Sequence, residues 1–167
     1  MTALYEATWL QEQLAHSLGM LEGAWAALPE ERYSALPPGR LAKLSSWPAQ
    51  LHLYHLYIYE RITVDYAAYW LPDGAAASEA EQAEHIRLWQ GQEEDWQQLS
   101  AAETWAEMQA QRQELLAHLA GAADWDARYD VFWGEQNLRW VAAKCFQHTL
   151  EHTTTLLQLA IFWDRFA

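Results

Sequence analysis

The chain has 167 residues, a formal net charge of −13 and only two lysines, Lys43 and Lys144. Such an acidic chain lacks the basic face that binds phosphate backbones, so we expect no nucleic-acid partner. The one cysteine, Cys145, excludes an intramolecular disulfide framework.

The length suits one domain spanning 1–167. No apolar run is long enough to cross a membrane, because charged residues and histidines interrupt even the stretch 51–71. The first residues carry carboxylates where a signal peptide would need a basic and then an apolar run. We therefore expect a cytoplasmic protein that does not associate with membranes.

The first half of the chain predicts two helices joined by a long connection. Leucines at helical spacing predict a helix from about 3 to 28, which Pro29 ends. A connection covers 30–46. The second helix is predicted to begin at Trp47-Pro48, because proline fits a first helical turn, and to run to about Trp70. Apolar residues on all its sides predict that it is interior.

The second half predicts three helical segments. The pairs Ser78/Glu81 and Ser100/Glu103 have capping-box spacing, so we expect a helix after each, the second one reaching about Leu119. The carboxylate-rich stretch 79–114 is interpreted as a solvated face, with the histidines at 85 and 118 on the surface. Residues 122–134 are predicted to be a linker, and a last helix covers 136–163. Long amphipathic helices of this kind predict an all-α helical bundle with long connections.

Two histidines lie within the apolar stripe of the last helix. His148 and His152 continue a series at steps of three and four that also includes Val141, Cys145 and Leu156. Imidazoles at i and i+4 project side by side, about 6 Å apart at Cβ, and one divalent ion can bridge them. The pair therefore predicts half of a metal site. The alternative is two core histidines that bond to neighbouring helices.

The second helix offers the third ligand. His55 lies on one face with Leu51 and Ile58, and His52 is the competing candidate, because a small rotation of the helix would exchange the two. Cys145 shares the face of His148 and could close the site as a fourth, soft ligand. We expect it to be a buried core residue instead, since free cysteines usually are.

Two segments resemble the DinB/YfiT-like family of metal-dependent enzymes. WPAQLHLYHLYIYE, with Trp47, His55 and Glu60, is similar to the family's second-helix motif, and HTLEHTTTL matches its HxxxH near the C-terminus. The resemblance implies a four-helix bundle with a crossover between its second and third helices, commonly a homodimer. It also implies zinc, nickel or a similar divalent ion bound by His55, His148 and His152.

The resemblance further implies an activity. Characterised relatives conjugate low-molecular-weight thiols such as bacillithiol, or use mycothiol as a cofactor in isomerisation. We therefore expect an S-transferase that acts on a small-molecule substrate and uses a low-molecular-weight thiol as its cofactor. The threonines 153–155 replace an Arg-Gly-Gln-like run of relatives, so the substrate class does not transfer directly.

Three protein ligands leave a fourth metal position open, as in catalytic zinc sites, where a coordinated thiol or water becomes an anion near neutral pH. A hydrolase is accordingly the other enzymatic interpretation, with Glu151 or Glu60 as general base. Either glutamate could instead be a helix-surface group or orient a ligand. The non-catalytic alternative is a protein that binds a metal or a small molecule.

Overall fold

The computed structural model describes the backbone of residues 2–166 and the side chains of residues 6–165. Met1 and Ala167, the ends of the predicted domain, lie outside this range. The five α-helices of the described residues are α1 (Thr2–Ala26), α2 (Ala49–Ala67), α3 (Glu79–Asp95), α4 (Ala101–Gly121) and α5 (Leu138–Phe166). A short hairpin, β1 (Arg128–Val131) and β2 (Gly134–Asn137), precedes α5.

The bundle is built from α1, α2, α4 and α5, which confirms the predicted all-α architecture. Helix α2 packs on α4 and α5, and α1 packs on the same two helices. Helix α3 packs against α2 and belongs to the long crossover between the second and third bundle helices. No helix in the described range combines the length and apolarity needed to cross a membrane.

Helix α2 is the interior helix that its sequence predicts. It follows Pro48, whose extended conformation starts the helix, and every residue from Ala49 to Glu60 is buried. Burying all sides of one helix removes its leucines, isoleucine and tyrosines from water, which is the main favourable contribution to folding. A polar side chain on this helix must therefore find a partner inside the protein.

One buried ion pair joins the four bundle helices. Arg112 of α4 donates from Nε to both carboxylate oxygens of Glu60, at 3.0 and 2.9 Å. Its other nitrogens donate to the Leu14 carbonyl, to Ser17 Oγ at 2.9 Å and to Thr149 Oγ1 at 2.8 Å. Because Arg112 contacts α1, α2 and α5 at once, it helps to set the position of α2 relative to α5.

Helix α3 differs from the solvated segment that its charge predicts. Ser78 and Glu81 do form the predicted capping box, as do Ser100 and Glu103 before α4. His85, however, is only 2% exposed, and its Nε2 lies 2.7 Å from an Asp65 carboxylate oxygen. The prediction of a surface position for His85 was wrong, because the acidic residues cover one side of α3 while the other packs on α2.

The predicted linker, 122–134, contains β1 and the turn of the hairpin, whereas β2 continues to Asn137. The prediction that the last helix begins at Gln136 was therefore wrong by two residues, because Gln136 and Asn137 pair with β1. Arg128 pairs with Asn137 and Val131 with Gly134, so that Phe132 and Trp133 form a two-residue turn. Gly134 has φ of +86°, a conformation that side-chain-bearing residues rarely adopt. The sequence concealed this turn because its two central residues are large aromatics and each strand has only four residues.

Candidate metal centre

His55, His148 and His152 converge between α2 and α5. One ring nitrogen from each lies within 4.8 Å of those of the other two, which makes them a group that could hold a metal ion. The Nε2 atoms of His55 and His148 are 2.8 Å apart. The convergence follows from helix packing, since His148 and His152 lie one turn apart on the face of α5 that meets α2.

Gln92 of α3 orients His55. The Nδ1 of His55 lies 2.5 Å from Gln92 Oε1, and because this oxygen only accepts, Nδ1 carries the proton and donates. The lone pair of neutral His55 is then on Nε2, the nitrogen that faces His148. A metal-ligating histidine typically has its other nitrogen held in this way.

His148 has its partners on the solvent side of the cluster. Its Nδ1 lies 3.7 Å from Glu151 Oε2, and the Glu151 carboxylate is half exposed. The ring of Tyr59 lies over that of His148, with 4.2 Å between centroids. The unprotonated Nε2 of a His148 whose Nδ1–H points toward Glu151 would face the same centre as Nε2 of His55.

His52 lies beside the cluster without joining it. Its Nδ1 is 2.8 Å from His152 Nδ1, and its Nε2 is 2.7 Å from Ser45 Oγ. Both ring nitrogens thus already have partners, and Nε2 of His152 remains for the centre. Of the two candidates between which the sequence left the choice open, His55 belongs to the converging group and His52 does not.

Burial keeps the histidines neutral. It lowers the pKa of His55, and with repulsion from His55 it lowers the pKa of His52 to about 4. Burial, followed by His55 and Lys144, lowers the pKa of His148 to about 3. Burial and the three neighbouring histidines lower that of His152 to about 2. Neutral imidazoles have the lone pairs that a divalent ion needs, and no proton must be expelled at neutral pH.

Aromatic rings enclose the cluster. The Trp47 ring centroid lies 5.2 Å from that of His55 and 6.4 Å from that of His152, and Trp89 lies 5.0 Å from His55. Phe132 of the hairpin turn is 5.8 Å from Trp89. This half-buried aromatic surface limits water around the histidines and offers flat apolar faces to a bound molecule.

The two candidate bases occupy different surroundings. Glu60 is fully buried and both its oxygens accept from Arg112, whereas Glu151 lies at the surface, where it also accepts from Gln147 Nε2 at 2.7 Å. Cys145 is fully buried, and its thiol lies 3.4 Å from a Glu60 oxygen. The converging group of ligand atoms does not include Cys145.

Sequence reasoning did not identify Gln92 and Ser45. Gln92 lay within the carboxylate-rich stretch, but it continues a series with His85, Leu88 and Trp96 at steps of three and four, the signal of a buried face. Ser45 precedes α2 in an irregular connection, and no periodic pattern distinguishes it.

The donor set fits a divalent transition metal. Three neutral imidazoles suit zinc, nickel and similar ions, and three protein ligands are the number found in catalytic zinc sites. Glu151 lies beside the outward nitrogen of His148, with 3.7 Å between Glu151 Oε2 and His148 Nδ1.

Comparison with known proteins agrees with this geometry. The sequence model of the DinB superfamily matches residues 13–156, a range that includes α2, α3, α4 and all three converging histidines. No significant match was found among curated proteins or among solved structures. Because the family model matches most of the chain, the protein belongs to the DinB superfamily.

Proposed function

We propose that this protein is a metal-dependent enzyme that conjugates a small thiol to an electrophilic molecule. The observation that carries the proposal is the convergence of His55, His148 and His152, whose ligand atoms lie within 4.8 Å of one another. Membership of the DinB superfamily supports it, because the matched range 13–156 includes all three histidines, which the sequence resemblance implies as metal ligands.

His55, His148 and His152 would hold the divalent ion, which would supply a Lewis acid that favours the thiolate form of a small thiol. Gln92 holds the His55 ring so that Nε2 faces the centre. Trp47 and Trp89 restrict water on the α2 side and present flat surfaces to the electrophile.

In the proposed conjugation of a haloarene, a sulfur–carbon bond forms while the carbon–halogen bond breaks. The halide leaves with its electron pair, and the thiol proton passes to Glu151 or to solvent. Glu151 suits this role because its carboxylate is exposed and lies 3.7 Å from Nδ1 of His148. Glu60 suits it less, because its carboxylate is fully occupied by Arg112 inside the bundle.

The same placement of Glu151 supports a second candidate function, a hydrolase. An exposed carboxylate at the edge of a three-histidine site can act as general base toward an attacking water. Glu151→Gln helps to separate the two candidates, because it should reduce hydrolysis strongly and conjugation less, since solvent can also take the thiol proton.

The metal site is tested first by elemental analysis of the purified protein and its His55→Ala, His148→Ala and His152→Ala variants. We expect one zinc or nickel ion per wild-type chain and loss of that ion in each variant. His16→Ala is the control, since His16 is exposed on α1. Full metal content after loss of both His148 and His152 would refute the site.

The activity is tested by incubating the metal-loaded protein with a panel of small thiols and a haloarene, or with amide and ester substrates. Turnover that requires the metal and disappears in His55→Ala would support an enzyme. Metal binding without conjugation or hydrolysis would favour the rival interpretation, a non-catalytic metal- or small-molecule-binding protein.

A further inference from the structure

A chain of three polar side chains runs outward from the cluster through His52. Nδ1 of His152 lies 2.8 Å from Nδ1 of His52, and Nε2 of His52 lies 2.7 Å from the hydroxyl oxygen of Ser45. Ser45 Oγ also accepts from the backbone N–H of Trp47 at 3.0 Å. His52 is only 5% exposed, so water cannot readily replace either contact.

The protons in this chain have two possible arrangements. In one, Ser45 donates to His52, His52 donates to His152, and Nε2 of His152 carries the proton, which prevents it from binding a metal. In the other, His152 donates from Nδ1 to His52, and His52 donates from Nε2 to Ser45. Only the second arrangement leaves the lone pair of His152 on Nε2.

The surroundings of Ser45 are compatible with the second arrangement. The hydroxyl oxygen has two lone pairs, of which the Trp47 N–H uses one, so the other can accept from His52. On the far side of the cluster, Gln92 imposes the equivalent Nδ1–H form on His55. Gln92 and Ser45 would therefore have the same effect on the two helices. Gln92 keeps the proton of His55 on Nδ1, and Ser45, through His52, would do the same for His152.

We propose that His52, anchored by Ser45, is a positioning residue that presents Nε2 of His152 to the divalent ion. The inference rests on the metal site of the proposed function and adds a role for two residues outside it. A role for His52 as a fourth ligand would require one of its ring nitrogens to give up its contact with His152 or with Ser45.

The first test measures zinc affinity by competition with a chromophoric chelator. His52→Leu should weaken binding by about 10- to 100-fold while keeping one ion per chain. His52→Asn should recover most of the loss, because its amide oxygen occupies nearly the position of Nδ1 and can accept from His152. Ser46→Ala, at an exposed neighbouring position, is the matched control and should bind like wild type.

Ser45 is tested by a double-mutant cycle. Ser45→Ala should weaken zinc binding in the same direction as His52→Leu but less. In the double variant, loss of Ser45 should add nothing, because Ser45 acts only through His52. Additive effects would show that the two residues act separately, and would overturn the proposed chain.

The second test reads the protons directly by long-range ¹⁵N–¹H spectra of the histidine rings. In metal-free wild type, His152 should be the Nδ1–H form, and in His52→Leu it should become a mixture. Unchanged zinc affinity together with an unchanged His152 form in His52→Leu would refute the proposal. Loss of the ion in His52→Leu without recovery in His52→Asn would make His52 a ligand instead.

The two proposals fail in different ways. If wild type binds no zinc, the proposed function fails, while the ring spectra of the metal-free protein still decide what His52 does to His152. Circular dichroism identifies any variant that does not fold. If His52→Leu does not fold, the test uses Ser45→Ala and His52→Asn instead. Ser45→Ala should then shift His152 from the Nδ1–H form toward a mixture of the two forms.

Discussion

Arg112 and Glu60 form an ion pair at the centre of the bundle, where both side chains are inaccessible to solvent. Although burial alone would lower the pKa of Arg112, the Glu60 carboxylate raises it above its usual value, so the guanidinium stays charged. Glu60 lies one to two turns beyond His55 on α2, and Thr149, another partner of Arg112, follows His148 on α5. The pair therefore supports the two helices that carry the candidate metal ligands.

Removing one partner of this pair should destabilise the protein strongly. We expect Arg112→Leu to lower the free energy of unfolding by about 3–5 kcal/mol, because it leaves the Glu60 carboxylate buried without its cation. Urea denaturation checks this. The double variant Glu60→Leu/Arg112→Leu should regain much of the loss, and Arg87→Leu, which removes an exposed ion pair with Glu84, should change stability little. Equal stability of Arg112→Leu and wild type would contradict the prediction.

Gln92 should affect metal affinity without binding the ion. Gln92→Leu removes the acceptor of the His55 Nδ1–H, and we expect zinc to bind about 10- to 100-fold more weakly. Competition titration measures the change. Gln90→Leu, on the exposed side of the same helix, is the control. Equal zinc affinities of the two variants would exclude an orienting role for Gln92.

Cys145 should be inert and should not bind the metal. Burial, followed by the negative charge of Glu60, raises the pKa of its thiol, so the native protein should not react with a thiol reagent at about pH 8 until it is unfolded. Cys145→Ala should cost about 1 kcal/mol of stability and leave zinc affinity nearly intact.

Cobalt substitution gives an independent check on Cys145. The cobalt protein should lack a thiolate-to-metal charge-transfer band in the near ultraviolet, since the converging group contains only histidines. A band that disappears in Cys145→Ala would make the site closed and structural, and would remove the main support for a catalytic metal.

The metal-free protein should lose stability in mild acid. In the unfolded chain, histidines take up protons below about pH 6.5, whereas in the folded protein the pKa values of His52, His148 and His152 are about 4, 3 and 2. The unfolded state thus binds more protons than the folded state as the pH falls below about 6.5. The free energy of unfolding should then decrease by about 1.4 kcal/mol per pH unit for each such histidine.

Urea denaturation in the presence of a chelator, at about pH 7.5 and pH 5.5, measures how the free energy of unfolding depends on pH. His152→Gln should show a shallower dependence, because it removes the histidine whose pKa is lowered most. If the stability of the variant and of wild type changed equally with pH, His152 would have the same pKa in the folded and unfolded states, and the prediction would be wrong.

The bundle and the histidine triad could be predicted because their signals are periodic. Apolar spacing marks the helices, Pro48 and the two capping boxes mark helix starts, and His148 and His152 lie within an apolar stripe. The ion pair between Arg112 and Glu60 could not be predicted, because it joins residues far apart in the chain and no local pattern encodes it. His85 was assigned to the surface because local charge density does not distinguish the two sides of α3.

The tryptophans beside the histidines give the protein an internal optical reporter. The rings of Trp47 and Trp89 lie 5.2 and 5.0 Å from that of His55, between ring centroids, close enough for a paramagnetic ion at the centre to quench their emission on contact. Zinc, which is diamagnetic, would leave most of that emission in place. Among the eleven tryptophans of the chain, these two would distinguish cobalt or copper from zinc without any attached dye. Occupancy of the site can thus be followed by the protein's own fluorescence, titration point by titration point.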